Sequence, residues 1–194
     1  EYVSANPTGP LHVGHGRGAA VGSALANLMK AAGYDVTREY YINDAGNQMM
    51  NLAASVNARY LELFGIDSVF PENGYHGEDI VDTAKRIKAK YGDAFIKVPE
   101  AERLETFKVI AKEEKLAALK EDLKAFNCEF DVWFSEQTLH DANKIKEACD
   151  ELLANGTMFE KDGALWLRSA AYGDDKDRVV IRDNGVPTYF AADI

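Results

Sequence analysis

The sequence has few cysteines and no long apolar run. No stretch of about 18 consecutive apolar residues occurs, so we expect no membrane-spanning helix. No basic segment is followed by an apolar segment and a cleavage site, so we expect no secretion signal. The two cysteines, Cys128 and Cys149, lack the spacing of metal ligands. We therefore expect a cytoplasmic protein with free thiols and no disulfide partner.

Positive charge is also scarce. The chain carries 22 Lys and Arg residues against 32 Asp and Glu residues, which gives a net charge of −10. Binding to nucleic acid depends on a clustered basic surface that releases counterions. The charge balance therefore argues against a protein that binds nucleic acid on its own, although it is compatible with a local basic patch. The apolar fraction of 46% is sufficient for a sizeable core.

The first third of the chain alternates between strand-prone and helix-prone segments. We expect a buried strand at 1–5, a helix at 14–32 rich in small residues, and a second strand at 35–42. Asp44 is expected to cap a helix that runs to about residue 64. A strand, a helix and a strand within about 40 residues predict a right-handed crossover in a parallel sheet, and hence an α/β fold.

The rest of the chain predicts more helix than strand. Further helices are expected over 77–91, 100–126 and 139–154, a third strand over 130–135, and short β segments over 158–168 and 178–182. Asp174, Asp175 and Asp177 lie between the two β segments. They lack the distal glutamate of a calcium-binding loop, so we interpret them as a solvated turn.

The pattern with the clearest chemical meaning is His12-Val13-Gly14-His15, which lies between a β-prone run and a helix-prone run. Imidazoles at a helix N-terminus can meet the phosphates of a nucleotide. The structural alternative is a loop with a surface histidine and a capping histidine. A dinucleotide fold is a weaker alternative, because Gly14, Gly16 and Gly18 do not have G-x-G-x-x-G spacing and no acidic residue ends the second strand.

The setting of this pattern resembles the HIGH signature of class I aminoacyl-tRNA synthetases, with Val13 in place of isoleucine. The chain contains, in order, SANPTGPLHVGHGR from Ser4, YYINDAGNQM from Tyr40, GDDKDRVVIRDNG from Gly173 and TYFAADI from Thr188. Together these segments resemble arginyl-tRNA synthetases of the bacterial type over essentially the whole chain.

The resemblance implies a partial Rossmann-like (HUP-type) parallel-sheet nucleotide-binding domain with an inserted helical and small β connective region. Residues 1–66 would form the first half of the catalytic fold, and residues 67–129 a helical insertion. Residues 130–194 would continue the catalytic domain and include a β-hairpin insertion. The polar segment 43–48 would face the acceptor end of tRNA or the pocket rim, unless it is simply the cap and first turn of a helix.

The resemblance also implies the site residues. The catalytic pair would be His12 and His15, stabilising the α-phosphate as pyrophosphate leaves. The ATP-binding set would be Ser4, Pro7, Thr8, Gly9, His12, Gly14 and His15. The residues that hold the substrate arginine would be Glu1, Asn6, Tyr189 and Asp193. Carboxylates suit this substrate because a guanidinium is a planar fork of five donors.

The implied reaction uses ATP with Mg²⁺, L-arginine and tRNA(Arg), and we read no dedicated metal site in the sequence. No KMSKS-like sequence occurs in the chain, whereas the resembled enzymes carry such a loop downstream. We therefore expect an excised segment of a longer enzyme that is inactive alone, with most tRNA contacts elsewhere. The alternatives are another class I synthetase, an HxGH nucleotidylyltransferase, or a non-catalytic paralogue that binds ATP or an amino acid.

Overall fold

Seven α-helices and five β-strands make up the chain, which a computed structural model describes from residue 1 to residue 194. The chain divides into two units, Glu1–Ser135 and Glu136–Ile194. The first unit contains α1 (Val13–Ala31), β1 (Glu39–Ile42), α2 (Asn47–Glu62), α3 (Glu78–Tyr91), α4 (Glu100–Ala125) and β2 (Val132–Ser135). The second contains α5 (Gln137–Asp141), α6 (Lys144–Ala154), β3 (Met158–Lys161), β4 (Ala164–Leu167), a 3₁₀ turn (Ser169–Tyr172), β5 (Arg178–Ile181) and α7 (Tyr189–Asp193).

A parallel pair of strands lies at the centre of the first unit. Strands β1 and β2 pair with Tyr40 opposite Trp133, and the two rings stack with centroids 4.3 Å apart. Tyr40 is fully buried, and its hydroxyl donates a hydrogen bond of 2.8 Å to the Ala5 carbonyl. Burial raises the pKa of Tyr40 to about 12. The prediction of an α/β fold with parallel strands is confirmed.

The predicted strand at 1–5 is wrong, because the backbone turns there. Val3 and Ser4 have φ angles of 68° and 40°, and the Ser4 N–H donates to the Tyr2 carbonyl. The Ser4 hydroxyl accepts a hydrogen bond of 3.0 Å from the Tyr41 N–H, so a side chain rather than a strand meets this edge of β1. The predicted crossover between residues 1–5 and β1 is therefore absent, and α2, α3 and α4 connect the two parallel strands instead.

Small residues let α1 pack closely, as the sequence predicts. Ala19 and Ala26 are buried. A Cβ added at Gly22 would lie 2.3 Å from the Tyr2 ring, so the ring packs directly on the helix backbone. The helix ends at Ala31, and Gly33 follows with φ +92°, a conformation that favours glycine.

Helices α2, α3 and α4 enclose a core of their own in the first unit. Leu52, Tyr60, Ile80 and Phe107 are fully buried in it. Arg103 is also buried, and its guanidinium donates to the Asn57 side chain and to the Phe95 and Val98 carbonyls. These bonds fix the turn between α3 and α4. No helix in the chain combines the length and apolar content needed to cross a bilayer.

The second unit packs α6 and α7 with an antiparallel sheet in the order β3-β4-β5. Its core contains Cys149, Met158 and Val180. The predicted β segments are confirmed, whereas the single helix predicted over 139–154 is wrong. Asn143 adopts a left-handed conformation with φ 56°, which ends α5 and begins α6.

Candidate active site

The two histidines cap the N-terminus of α1 reciprocally. His12 occupies the cap position, and its Nδ1 accepts a hydrogen bond of 3.1 Å from the Gly14 N–H. His15, one turn into the helix, accepts from the His12 N–H through its own Nδ1 at 3.2 Å. Two backbone donors that a helix leaves without partners are thereby satisfied by imidazole nitrogens.

This capping determines where the imidazole protons lie. A neutral imidazole carries its proton on one nitrogen, and in both rings Nδ1 is already an acceptor. The neutral forms of His12 and His15 therefore present Nε2–H as a donor. The rings stack with centroids 3.7 Å apart and an interplanar angle of 19°. Burial, and then the proximity of His12, lower the pKa of His15, which favours its neutral form.

Gly14 is required by this arrangement, and neighbouring glycines are not. A Cβ at Gly14 would lie 2.8 Å from Cε1 of His12, closer than side chains approach. A Cβ at Gly16 or Gly18 would meet nothing within 4 Å. The close approach of the His12 ring to the helix backbone thus gives Gly14 a physical role in the site.

The other residues predicted to bind ATP lie on the segment that leads into His12. Pro7 is buried, whereas Thr8 and Gly9 are half-buried. The Thr8 N–H donates to the Asn6 carbonyl at 2.8 Å, which closes a tight turn. Ser4 is already engaged, because its hydroxyl donates to the Glu1 carboxylate and accepts from the Tyr41 N–H. The role of these residues in ATP binding stays a prediction.

The four residues predicted to hold arginine fall into two pairs. Glu1 and Asn6 are exposed residues of the first unit. Tyr189 and Asp193 lie on α7 of the second unit, four residues apart, and both are exposed. Helix α7 begins at Tyr189, and the role of the four side chains stays a prediction.

Asp44 does not cap α2, contrary to the sequence prediction. Gly46 occupies the cap position, and the Asp44 carboxylate is buried. It accepts hydrogen bonds from Ser135 Oγ at 2.7 Å and Lys112 Nζ at 3.1 Å. Asp44 follows β1, and Ser135 is the last residue of β2. The interaction therefore joins the carboxyl ends of both parallel strands to α4, at the edge where open α/β sheets bind ligands.

The aspartates near β5 form an ion-paired turn. The Arg178 guanidinium binds Asp174 and Asp175, and the Asp174 contact holds the pKa of that carboxyl well below its usual range. The Ala170 N–H donates to Asp177. The structure contains no group of three or more His, Cys, Asp or Glu side chains arranged to hold a metal ion.

The family model, the sequence relatives and the solved structures that match this chain all point to one family. The chain matches the family described as tRNA synthetases class I (R), catalytic domain, over residues 1–194. It is 57% identical over 194 residues to an arginine–tRNA ligase of Carboxydothermus hydrogenoformans, covering all of this chain and 35% of that protein.

Solved structures agree with the sequence relatives. A Campylobacter jejuni protein assigned as an arginyl-tRNA synthetase superposes with a TM-score of 0.87 and 40% identity, covering 99% of this chain and 42% of that one. Thermus thermophilus arginyl-tRNA synthetase gives a TM-score of 0.65 and 25% identity, covering 99% and 34%. The chain thus spans about a third of the length of the curated relatives it matches.

Proposed function

Because this chain belongs to the family of class I tRNA synthetase (R) catalytic domains, we propose that it supplies part of the catalytic site of an arginine–tRNA ligase. In the first step, the arginine carboxylate attacks the α-phosphorus of ATP, and the bond to pyrophosphate breaks. In the second step, a hydroxyl of the terminal adenosine of tRNA(Arg) attacks the carbonyl carbon of arginyl-adenylate, and AMP leaves.

The observation that carries this proposal is the reciprocal capping of α1 by His12 and His15. It leaves two Nε2–H donors beside a helix N-terminus, where the helix dipole favours negative charge. Donors fixed before the reaction stabilise the charge that develops on the α-phosphate and on pyrophosphate. Mg²⁺ enters as part of the ATP substrate. Catalysis in this proposal uses positioning and charge stabilisation, without a covalent enzyme intermediate.

Specificity for arginine is assigned to Glu1, Tyr189 and Asp193, with Asn6 binding the α-amino or carboxylate group. A guanidinium can form two parallel hydrogen bonds with one carboxylate, whereas an ammonium cannot. The geometry of the ligand thus separates arginine from lysine. The division into residues 1–66, 67–129 and 130–194 remains part of the proposal, as does a cytoplasmic location with reduced thiols.

Isothermal titration of the 194-residue chain with arginine and with lysine, with and without a non-hydrolysable ATP analogue, tests the assignment. Arginine is expected to bind at least tenfold more tightly than lysine. Asp193→Asn is expected to abolish this preference. Asp183→Asn is the matched control, because Asp183 is another exposed carboxylate of the second unit. Equal binding of both amino acids, or no binding of arginine, would contradict the proposed pocket.

A further inference from the structure

Two side-chain amides meet just beyond the carboxyl end of β1. Gln48 Nε2 donates to both oxygens of Asn43, at 2.9 Å to the backbone carbonyl and 2.5 Å to Oδ1. Both residues are half-buried, so they are held by the protein while keeping access to solvent. Both belong to the polar segment 43–48, and the function proposed above gives neither side chain a specific ligand group.

The contact between the amides leaves a defined pair of hydrogen-bonding groups. Each primary amide has two N–H donors and one carbonyl acceptor. Gln48 uses its donors and Asn43 uses its acceptor in the mutual contact. Asn43 Nδ2 and Gln48 Oε1 make no hydrogen bond to protein. The pair therefore offers a neutral donor beside a neutral acceptor.

The neighbouring residue keeps this pair in place. Asp44 directly follows Asn43, and its buried carboxylate is bound to Ser135 of β2 and Lys112 of α4. The backbone at Asn43 is thus fixed to three elements of the first unit. Ligands of open α/β sheets bind outside the carboxyl ends of the strands, which is where the amides lie.

The chemistry of the pair favours a ligand that both donates and accepts hydrogen bonds. A phosphate or carboxylate only accepts hydrogen bonds, and a guanidinium or ammonium only donates them. A hydroxyl does both, and the vicinal hydroxyls of ribose can meet both amides at once. Resting on the proposed function, we infer that Asn43 and Gln48 form a subsite for the ribose hydroxyls of adenosine. That ribose belongs either to ATP or to the terminal adenosine of tRNA.

Nucleotide binding to the 194-residue chain, measured by isothermal titration, separates the two sources. One arm compares ATP with 2′,3′-dideoxy-ATP, and the other compares the RNA trinucleotide CCA with CCA that ends in 2′,3′-dideoxyadenosine. In one arm, removal of the two hydroxyls is expected to weaken binding about five- to hundredfold, the worth of two net hydrogen bonds. The arm that shows the preference identifies the source.

Substitutions connect the preference to the amides. Gln48→Met keeps the length of the side chain and removes its amide. It also removes the two hydrogen bonds that hold Asn43, so the ratio of the two dissociation constants is expected to fall to about 1. Asn43→Ala is a second variant with the same expected result, in case the first fails to fold. Asn73→Ala is the matched control, since Asn73 is an exposed amide of the first unit that lies outside the segment 43–48 and should leave the ratio unchanged.

An unchanged ratio in folded Gln48→Met and Asn43→Ala would overturn the subsite. So would a chain that shows no hydroxyl preference, or binds no nucleotide, in either arm. Failure of the proposed function gives a different result. The unsubstituted chain would then bind arginine and lysine equally, and the Gln48 and Asn43 variants would do the same.

Discussion

At the scale of single residues, the candidate site depends on two imidazole rings that are held by the backbone they cap. His12 Nδ1 accepts from the Gly14 N–H in the first turn of α1, and His15 Nδ1 accepts from the N–H of the cap residue His12. The cost of losing a helix cap is about 1 kcal/mol. The same bonds that stabilise the helix therefore orient the Nε2–H donors to which the proposed function assigns the phosphates of ATP.

Gly14→Ala should separate the capping geometry from helix propensity. The new Cβ would displace the His12 ring, so we expect ATP affinity to fall at least tenfold. Gly16→Ala is the control, because its Cβ meets nothing, and alanine favours the helix by about 1 kcal/mol. Urea unfolding should find Gly14→Ala about 1 kcal/mol less stable than Gly16→Ala. Equal stability and equal ATP affinity of the two variants would argue against the cap.

The pKa of His15 gives a second prediction at this scale. Burial first, and His12 second, lower it in the folded chain. The unfolded chain then binds a proton at His15 more readily, so this contribution to the free energy of unfolding is present above about pH 6.5 and declines as the pH falls below that value. NMR titration should show a pKa below 6.5 that rises in His12→Asn. A His15 pKa above 6.5 in the native chain would refute the assignment.

At the scale of elements, the contacts of Asp44 hold the carboxyl ends of β1 and β2 against α4. Asp44→Asn removes the charge that Lys112 pairs with while keeping the shape of the side chain. Because Asp44 is buried and Lys112 is partly exposed, we expect a loss of about 1–3 kcal/mol. Urea unfolding measures this loss in the free energy of unfolding. Trp133 fluorescence reports the first unit when Trp166 is replaced by phenylalanine. Glu105→Gln breaks the surface ion pair of Glu105 with Lys108 in the same unit and should cost less than about 0.5 kcal/mol.

The helices of the first unit could be predicted from sequence because their patterns are local. The expected ranges 77–91 and 100–126 differ by one residue from α3 and α4, since amphipathic spacing repeats along each helix. Asp44 could not be placed in this way. Its partners Ser135 and Lys112 are 91 and 68 residues away, and no local pattern encodes them.

Contacts between residues far apart in the sequence also explain why the strand predicted at 1–5 is wrong. Tyr2 and Val3 have high strand propensity, yet the strand does not form. The backbone turns so that the Ser4 hydroxyl can accept from the Tyr41 N–H, 37 residues away. Of the candidate site, the imidazoles at the helix start were predictable from HVGH and its flanks. The amide pair and the buried carboxylate required the fold.

At the scale of the whole molecule, the second unit has its own buried core, and a cavity there should destabilise it. Met158 is 2% exposed, so Met158→Ala should lower the free energy of unfolding by about 2–5 kcal/mol. Trp166 fluorescence in a Trp133→Phe background reports this unit. Leu153→Ala is the control, because Leu153 is 38% exposed and should cost about 1 kcal/mol or less. Equal losses for both would show that the cluster around Met158 is not a core.

The most direct measurement is ¹⁵N NMR of the histidine rings in the 194-residue chain at pH 7.5, before and after addition of ATP, with adenosine as control. We expect His12 and His15 to carry their protons on Nε2, and we expect ATP to shift both Nε2 signals whereas adenosine shifts neither. Protons on Nδ1, or Nε2 signals that ATP leaves unchanged, would contradict the claim that this capped pair is a phosphate-binding site.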